Sequence, residues 1–165
     1  MNTENNNQDL SSLSTDMKRA LALRQFKGMD YFFWHEVAYE GTLEDAQEQF
    51  SNEDEDTKES GFDEYVKANF VEIEEFDDDL VEIDNEEYYV LTDSEADDKW
   101  DEYLDNYIDD VIMSEMPKHL QNYFDDERWK EDARYDGRGH SLASYDGHEN
   151  EETIGDETFY IYRHN

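Results

Sequence analysis

Apolar positions along this chain alternate between a helical and a two-residue period, and the changes of period divide it into elements. Thr15 caps a helix running to Phe26, and Gly28 stops it in the left-handed conformation open to glycine. Residues 31–39, Tyr-Phe-Phe-Trp-His-Glu-Val-Ala-Tyr, have the aromatic and β-branched density of one buried strand. Thr42 and Asp45 open a second helix ending near Phe50, and Glu53 to Asp56 reads as a solvated loop. Phe62, Tyr65, Val66 and Phe70 then recur at helical spacing. Val71 to Glu74, Leu80 to Asp84 and Glu87 to Leu91 alternate with period two, as three strands of an antiparallel sheet with one acidic face.

The clearest helix begins at Thr92, where Thr92 and Glu95 form a capping-box pair. Ala96, Trp100, Tyr103, Leu104, Tyr107, Ile108, Val111 and Ile112 give it a core face. Pro117 starts a further helix through Leu120, Tyr123, Phe124, Trp129 and Ala133, closed by Asp136-Gly137. Strands at about 140–145 and 158–163 complete the pattern. The expected fold is α+β: an antiparallel sheet of about five strands, packed with several short helices that carry acids outward. Residues 1–14, rich in Asn and Ser, read as a disordered tail, and residues 15–165 as a single acidic domain.

Charge changes what this pattern means. The chain has 165 residues and a net charge of −35, against roughly 2 to 8 in magnitude for an ordinary small domain. Residues 44–110 hold 29 acids and three bases, so the excess lies in the middle rather than spreading evenly. Direct nucleic-acid binding needs cations to displace counterions, and anionic membranes repel acids, so neither is expected. High charge alone would suggest disorder, but 24 aromatic residues can build a core. The chain has no cysteine, no apolar run of membrane-spanning length and no signal-peptide core, as expected of a cytoplasmic protein.

On the helix after Thr92 the acids are ordered. Asp97, Asp98, Asp101, Glu102, Asp105, Asp109 and Asp110 occupy the face opposite the core, with Lys99 the only base among them. They extend over about 20 Å at 1.5 Å per residue. That is about one charge per 3 Å, approaching the density of duplex DNA. Like charges four residues apart each cost a few tenths of a kcal/mol, so a face serving only solubility would mix signs. Glu72, Glu74, Asp77, Asp78, Asp79, Glu82 and Asp84 form a second acidic surface. The helix at 15–26 carries Lys18, Arg19, Arg24 and Lys27, which could contact an acidic partner, dock on the protein's own acids, or line an ordinary amphipathic helix.

Catalytic signatures are absent: there is no GxGxxG, P-loop, HExxH or nucleophile elbow, and the acid runs lack EF-hand spacing. No cofactor and no resident metal is expected. A metal-dependent enzyme would have to use Arg138 and His140, with Asp146 and His148 nearby, although the Asp-Gly pairs there mark turns.

The stretch Met116-Pro117-Lys118-His119-Leu120-Gln121-Asn122-Tyr123-Phe124-Asp125, with Trp129 and Asp132, resembles the ArdA-type antirestriction proteins. The resemblance covers about 17 of the 165 residues. Residues 88–97 and 135–163 resemble phage-encoded proteins. The first resemblance implies an acidic DNA mimic of phage or mobile-element origin that inhibits a host DNA-binding defence enzyme, of restriction-modification or CRISPR type. On this reading the face around Asp101 and Asp105 stands in for phosphates, and a homodimer would imitate a longer duplex. The rival is a phage interaction module that binds host transcription or defence machinery away from its DNA channel.

Overall fold

Ser14, rather than Thr15, caps the first helix: its hydroxyl accepts the Met17 amide at 3.1 Å, and α1 spans Thr15–Phe26. The computed structural model describes residues 10–165, so most of the expected tail lies outside the described residues. The described part of it holds a short 3-10 turn, Leu10–Ser12. The chain forms two compact units: one reaches to Asp77 and includes Glu152–Glu157, and the other comprises Asp78–Glu151 and Thr158–Asn165.

In the first unit α1 is a buried helix, not an amphipathic one. Ala20, Leu21, Ala22 and Leu23 are all inaccessible, and Lys18, Arg19 and Arg24 are buried beside them. The basic cluster is docked on the chain's own acids. Lys18 lies 3.1 Å from Asp156 and 3.5 Å from Glu157, Arg24 3.1 Å from Glu40 and Arg19 3.4 Å from Asp16. Gly28 ends the helix at φ +72°.

The expected strand at 31–39 is instead a hairpin, β1 Tyr31–Trp34 and β2 Val37–Glu40. His35 and Glu36 turn it with φ of 52° and 65°, a conformation usually left to Asn and Gly. Asp63 supports the turn, accepting from Trp34 Nε1 at 2.7 Å and lying 3.1 Å from His35 Nε2. Thr42 caps α2, Leu43–Ser51. The expected loop at 53–56 holds a helix start: Asp54 accepts the Thr57 amide at 2.8 Å and opens α3, Glu55–Glu59. In α4, Phe62–Asn69, Tyr65 and Val66 are buried, and Val66 joins Phe32, Tyr39, Leu43 and Ala46 in one core. Val71 to Glu74 forms no separate strand. It adds a single bridge, Glu72 to Tyr39, with Ile73 donating to the Ala38 carbonyl at 2.9 Å.

The second unit is built on antiparallel strands: β3 Leu80–Ile83 and β4 Glu86–Leu91, joined through Asp84 and Asn85 at positive φ. Next come α5 Asp93–Tyr107, a wider π-type turn at Ile108–Ile112 and α6 Met113–Glu115. The single helix expected from Pro117 is two, α7 Lys118–Gln121 and α8 Asp126–Arg134, because Asp125 accepts the Arg128 amide and starts a new helix. The strand expected at 140–145 is a correction too: α9 occupies Arg138–Leu142. The strand beside β6, Glu157–Arg163, is β5, Asn150–Ile154, whose polar sequence suits a sheet edge. The sheet order is β3-β4-β6-β5, which places Phe159, Ile161 and Tyr162 of β6 in the interior. The class is α+β, with one two-stranded and one four-stranded antiparallel sheet. Among the described residues no helix is long and apolar enough to cross a membrane.

Candidate functional site: the acidic helix of the second unit

The capping box sets the rotation of α5. Thr92 Oγ1 accepts the Glu95 amide at 3.3 Å, and Glu95 returns a carboxylate oxygen to the Thr92 amide at 2.8 Å. Ala96, Leu104 and Ile108 are thereby buried, and Trp100 is half-buried with its indole N–H donating to Ser141 at 3.1 Å. The expected core face is narrower than its periodicity implied, because Tyr103, Tyr107 and Val111 remain 42%, 39% and 37% exposed.

Of the seven carboxylates expected on one helix, five lie on α5 and Asp109 and Asp110 lie on the π-type turn after it, and they fall into two groups. Asp97, Asp101 and Asp105, four residues apart, face cations that are also four residues apart, Arg138, Arg134 and Lys130, running in the opposite direction. Arg138 Nη1 lies 3.0 Å from Asp97, Arg134 2.8 Å from Asp101, and Lys130 3.3 Å from Asp101 and in contact with Asp105. Asp98, Glu102, Asp109 and Asp110 are exposed and have no ion pair among the described residues. Counting only these, the spacing is about one charge per 5 Å, sparser than the whole stripe. The ladder was readable in principle, since Lys130, Arg134 and Arg138 repeat the interval of the acids.

Hydrogen bonds to carboxylates fix the state of these cations against burial. Burial pushes the Arg138 guanidinium down, but hydrogen bonds to Glu149 and Asp93 outweigh it and hold it above its ordinary range. Its Nε donates to Glu149 at 2.7 Å, and it lies over the Tyr160 ring at 4.6 Å. Tyr162 is pushed up by burial and then by its hydrogen bond to the same Glu149. The hydrogen bond to Asp105 raises Lys130 against burial, with Asp101 adding to it. Arg138 is thus held by three carboxylates at the base of α9, while His140 is exposed. Asp146 and His148 are exposed as well, and no group of three or more acids and histidines among the described residues could hold a metal ion.

The second acidic group is divided. Glu72, Glu74 and Asp77 are exposed in the first unit, and Asp78, Asp79, Glu82 and Asp84 in the second, where Lys99 lies 3.4 Å from Asp79. The second unit as a whole has 25 acids and seven bases, a net of −18.

Two clefts open beside α5. One, about 210 Å³, is lined by Tyr89, Glu102, Tyr103, Asn106 and His164 among others. The other, about 190 Å³, lies against Tyr103, Tyr107, Trp129, Asp136 and His140. Tyr107 and Trp129 stack at 5.5 Å and 7°, and Tyr103 continues the row at 6.4 Å from Tyr107. Leu120 and Tyr123, N-terminal to Trp129, are exposed. No protein-family model, curated protein or solved structure matches this chain.

Proposed function

We propose that this protein is a non-catalytic DNA mimic that occupies the DNA-binding site of a host defence protein, with Asp98, Glu102, Asp109 and Asp110 in the place of phosphates. One observation carries the reading. The cations of α8 and α9 that face α5 are bound to Asp97, Asp101 and Asp105, and Lys99 of α5 is paired with Asp79, while Asp98, Glu102, Asp109 and Asp110 have no ion pair among the described residues. A surface arranged for stability alone would distribute Lys130, Arg134 and Arg138 over both flanks, since each like-charge pair left along the helix costs a few tenths of a kcal/mol. Asp101 and Asp105, at the centre of the stripe read from sequence, are taken up by Arg134 and Lys130 and belong to the structural flank. The short resemblance at 116–132 supports restriction-modification enzymes as the target class, and no cofactor is required.

The test is competition. A purified restriction-modification enzyme is bound to labelled duplex DNA and titrated with this protein. Mimicry requires DNA release, weakening steeply between about 50 and 200 mM salt as the enzyme's cationic surface is screened. A stable ternary complex with DNA retained overturns it. That result would favour docking away from the DNA channel, a reading supported by the large exposed rings of Tyr123 and Tyr135, 85% and 89% accessible.

A further inference from the structure

Four aromatic rings in the second unit are covered by cations. Arg163 lies over Tyr145 at 3.7 Å, Arg138 over Tyr160 at 4.6 Å, Lys99 over Tyr89 at 5.0 Å and Arg134 over Trp100 at 6.0 Å. The row Tyr103, Tyr107 and Trp129 differs in being a run of stacked rings. It lines the cleft of about 190 Å³, and no cation lies over it among the described residues. Asp136 lines the same cleft, exposed and without an ion pair among the described residues. The nearest bases on α8, Lys130 and Arg134, are bound to Asp101 and Asp105, so they do not neutralise it.

From this arrangement we infer that the cleft formed by Tyr103, Tyr107, Trp129 and Asp136 is a receptor for a guanidinium group, the side chain of an arginine presented by a basic partner surface. A cation over an aromatic face is attracted by the negative π-cloud, most strongly where water is excluded. Guanidinium suits the site better than ammonium, because its plane stacks on rings while its edge pairs with a carboxylate such as Asp136. Anions, including nucleotides, are disfavoured by Asp136 and by Glu102 and Asp105 on the adjoining helix. The cleft adds a specific anchor to the diffuse attraction of the acids, as anchoring side chains do in interfaces generally. That the arginine belongs to a DNA-binding protein rests on the proposed mimicry; the preference of the cleft for guanidinium does not.

The test uses small probes and the full chain. N-acetyl-arginine methylamide, its lysine counterpart and its neutral citrulline counterpart are titrated into the labelled protein and followed by NMR. The arginine probe is expected to shift the Trp129 indole and the Tyr103 and Tyr107 ring signals, and to bind about tenfold more tightly than citrulline. Asp136→Asn and Tyr103→Leu, both at accessible positions, are expected to weaken that binding several-fold with the thermal unfolding curve retained. Equal binding of arginine and citrulline, or arginine shifts confined to the Asp98, Glu102 and Asp109 signals, would overturn the assignment. The two readings fail separately. Arginine binding at Trp129 alongside a DNA-retaining ternary complex removes mimicry and keeps the cleft. DNA release without arginine preference does the reverse.

Discussion

Arg134 reaches across from α8 to place a guanidinium nitrogen 2.8 Å from Asp101 of α5, and this pair is the middle rung of an antiparallel charge ladder. Its neighbours are Arg138 with Asp97 and Lys130 with Asp105. The acidic stripe therefore has a structural flank and an open flank, which substitution can separate. Asp101→Asn with Asp105→Asn would leave the Lys130 ammonium, 8% exposed, without a carboxylate. A buried group deprived of its partners costs about 1–3 kcal/mol. Replacing Asp98, Glu102, Asp109 and Asp110 by their amides removes like-charge contacts instead, and stability should hold or rise by less than about 1 kcal/mol. Urea unfolding measures both, and the DNA competition assay should lose its response only in the second variant while that variant stays folded.

What was readable in the sequence follows the range of the forces involved. The Thr92–Glu95 box and the helix behind it are local, and both were found in place. Asp54 reads as loop in the sequence because a cap within an acidic run looks like more charge. The turn at His35 and Glu36 was hidden because neither residue announces a positive φ, and the support from Asp63 lies 28 residues away. Residues 140–145 look strand-like until Asn150–Ile154, polar on most positions, is seen to occupy the sheet edge. At the candidate site the acids were legible from their spacing, but not which of them are paired. Asp101 meets Arg134 across 33 residues, a contact that depends on where α8 docks.

Gly139 provides a check on the packing of α9. A Cβ there would lie 2.6 Å from the Gly147 carbonyl oxygen and 2.8 Å from the Glu149 amide nitrogen, both backbone. Alanine ordinarily stabilises a helix by about 1 kcal/mol relative to glycine. Here overpacking should reverse the sign, with Gly139→Ala destabilising by about 1–3 kcal/mol. Because Glu149 also receives Arg138, the Tyr162 and Arg138 signals should shift in the same variant. A stabilised Gly139→Ala protein would contradict the close approach of α9 to the 147–149 backbone.

The alkaline limit of stability follows from groups whose folded-state values are raised. Tyr162 holds its proton beyond the ordinary value of 10.0, through burial and its bond to Glu149, and Lys130 beyond 10.5 through Asp105 and Asp101. In both cases the folded state binds a proton that the unfolded state releases first. Their contribution is complete below the unfolded values and is lost as pH rises from about 10 through the folded ones. Unfolding monitored from pH 8 to 12 should show stability falling from about pH 10. Tyr162→Phe should make that fall shallower, since the unfolded chain then loses one proton fewer.

Salt distinguishes the cost of the net charge from the benefit of the ion pairs. With −35 charges on 165 residues, the compact state holds like charges closer together than the unfolded chain does. The Debye length is about 10 Å at 0.1 M, so added salt weakens repulsion among exposed carboxylates such as Asp98 and Glu102. The ladder is screened less, because the Lys130 and Arg138 side chains are only 8% and 11% exposed. Raising sodium chloride from about 10 to 500 mM should therefore raise Tm, by roughly 2–4 °C for each kcal/mol of repulsion removed. DNA displacement from the target should decline over the same series, because it depends on the unscreened field of those outward acids. A Tm that fell with salt would mean that ion pairs outweigh repulsion, and the absence of cations from the open flank of α5 would no longer mark a cost retained for binding.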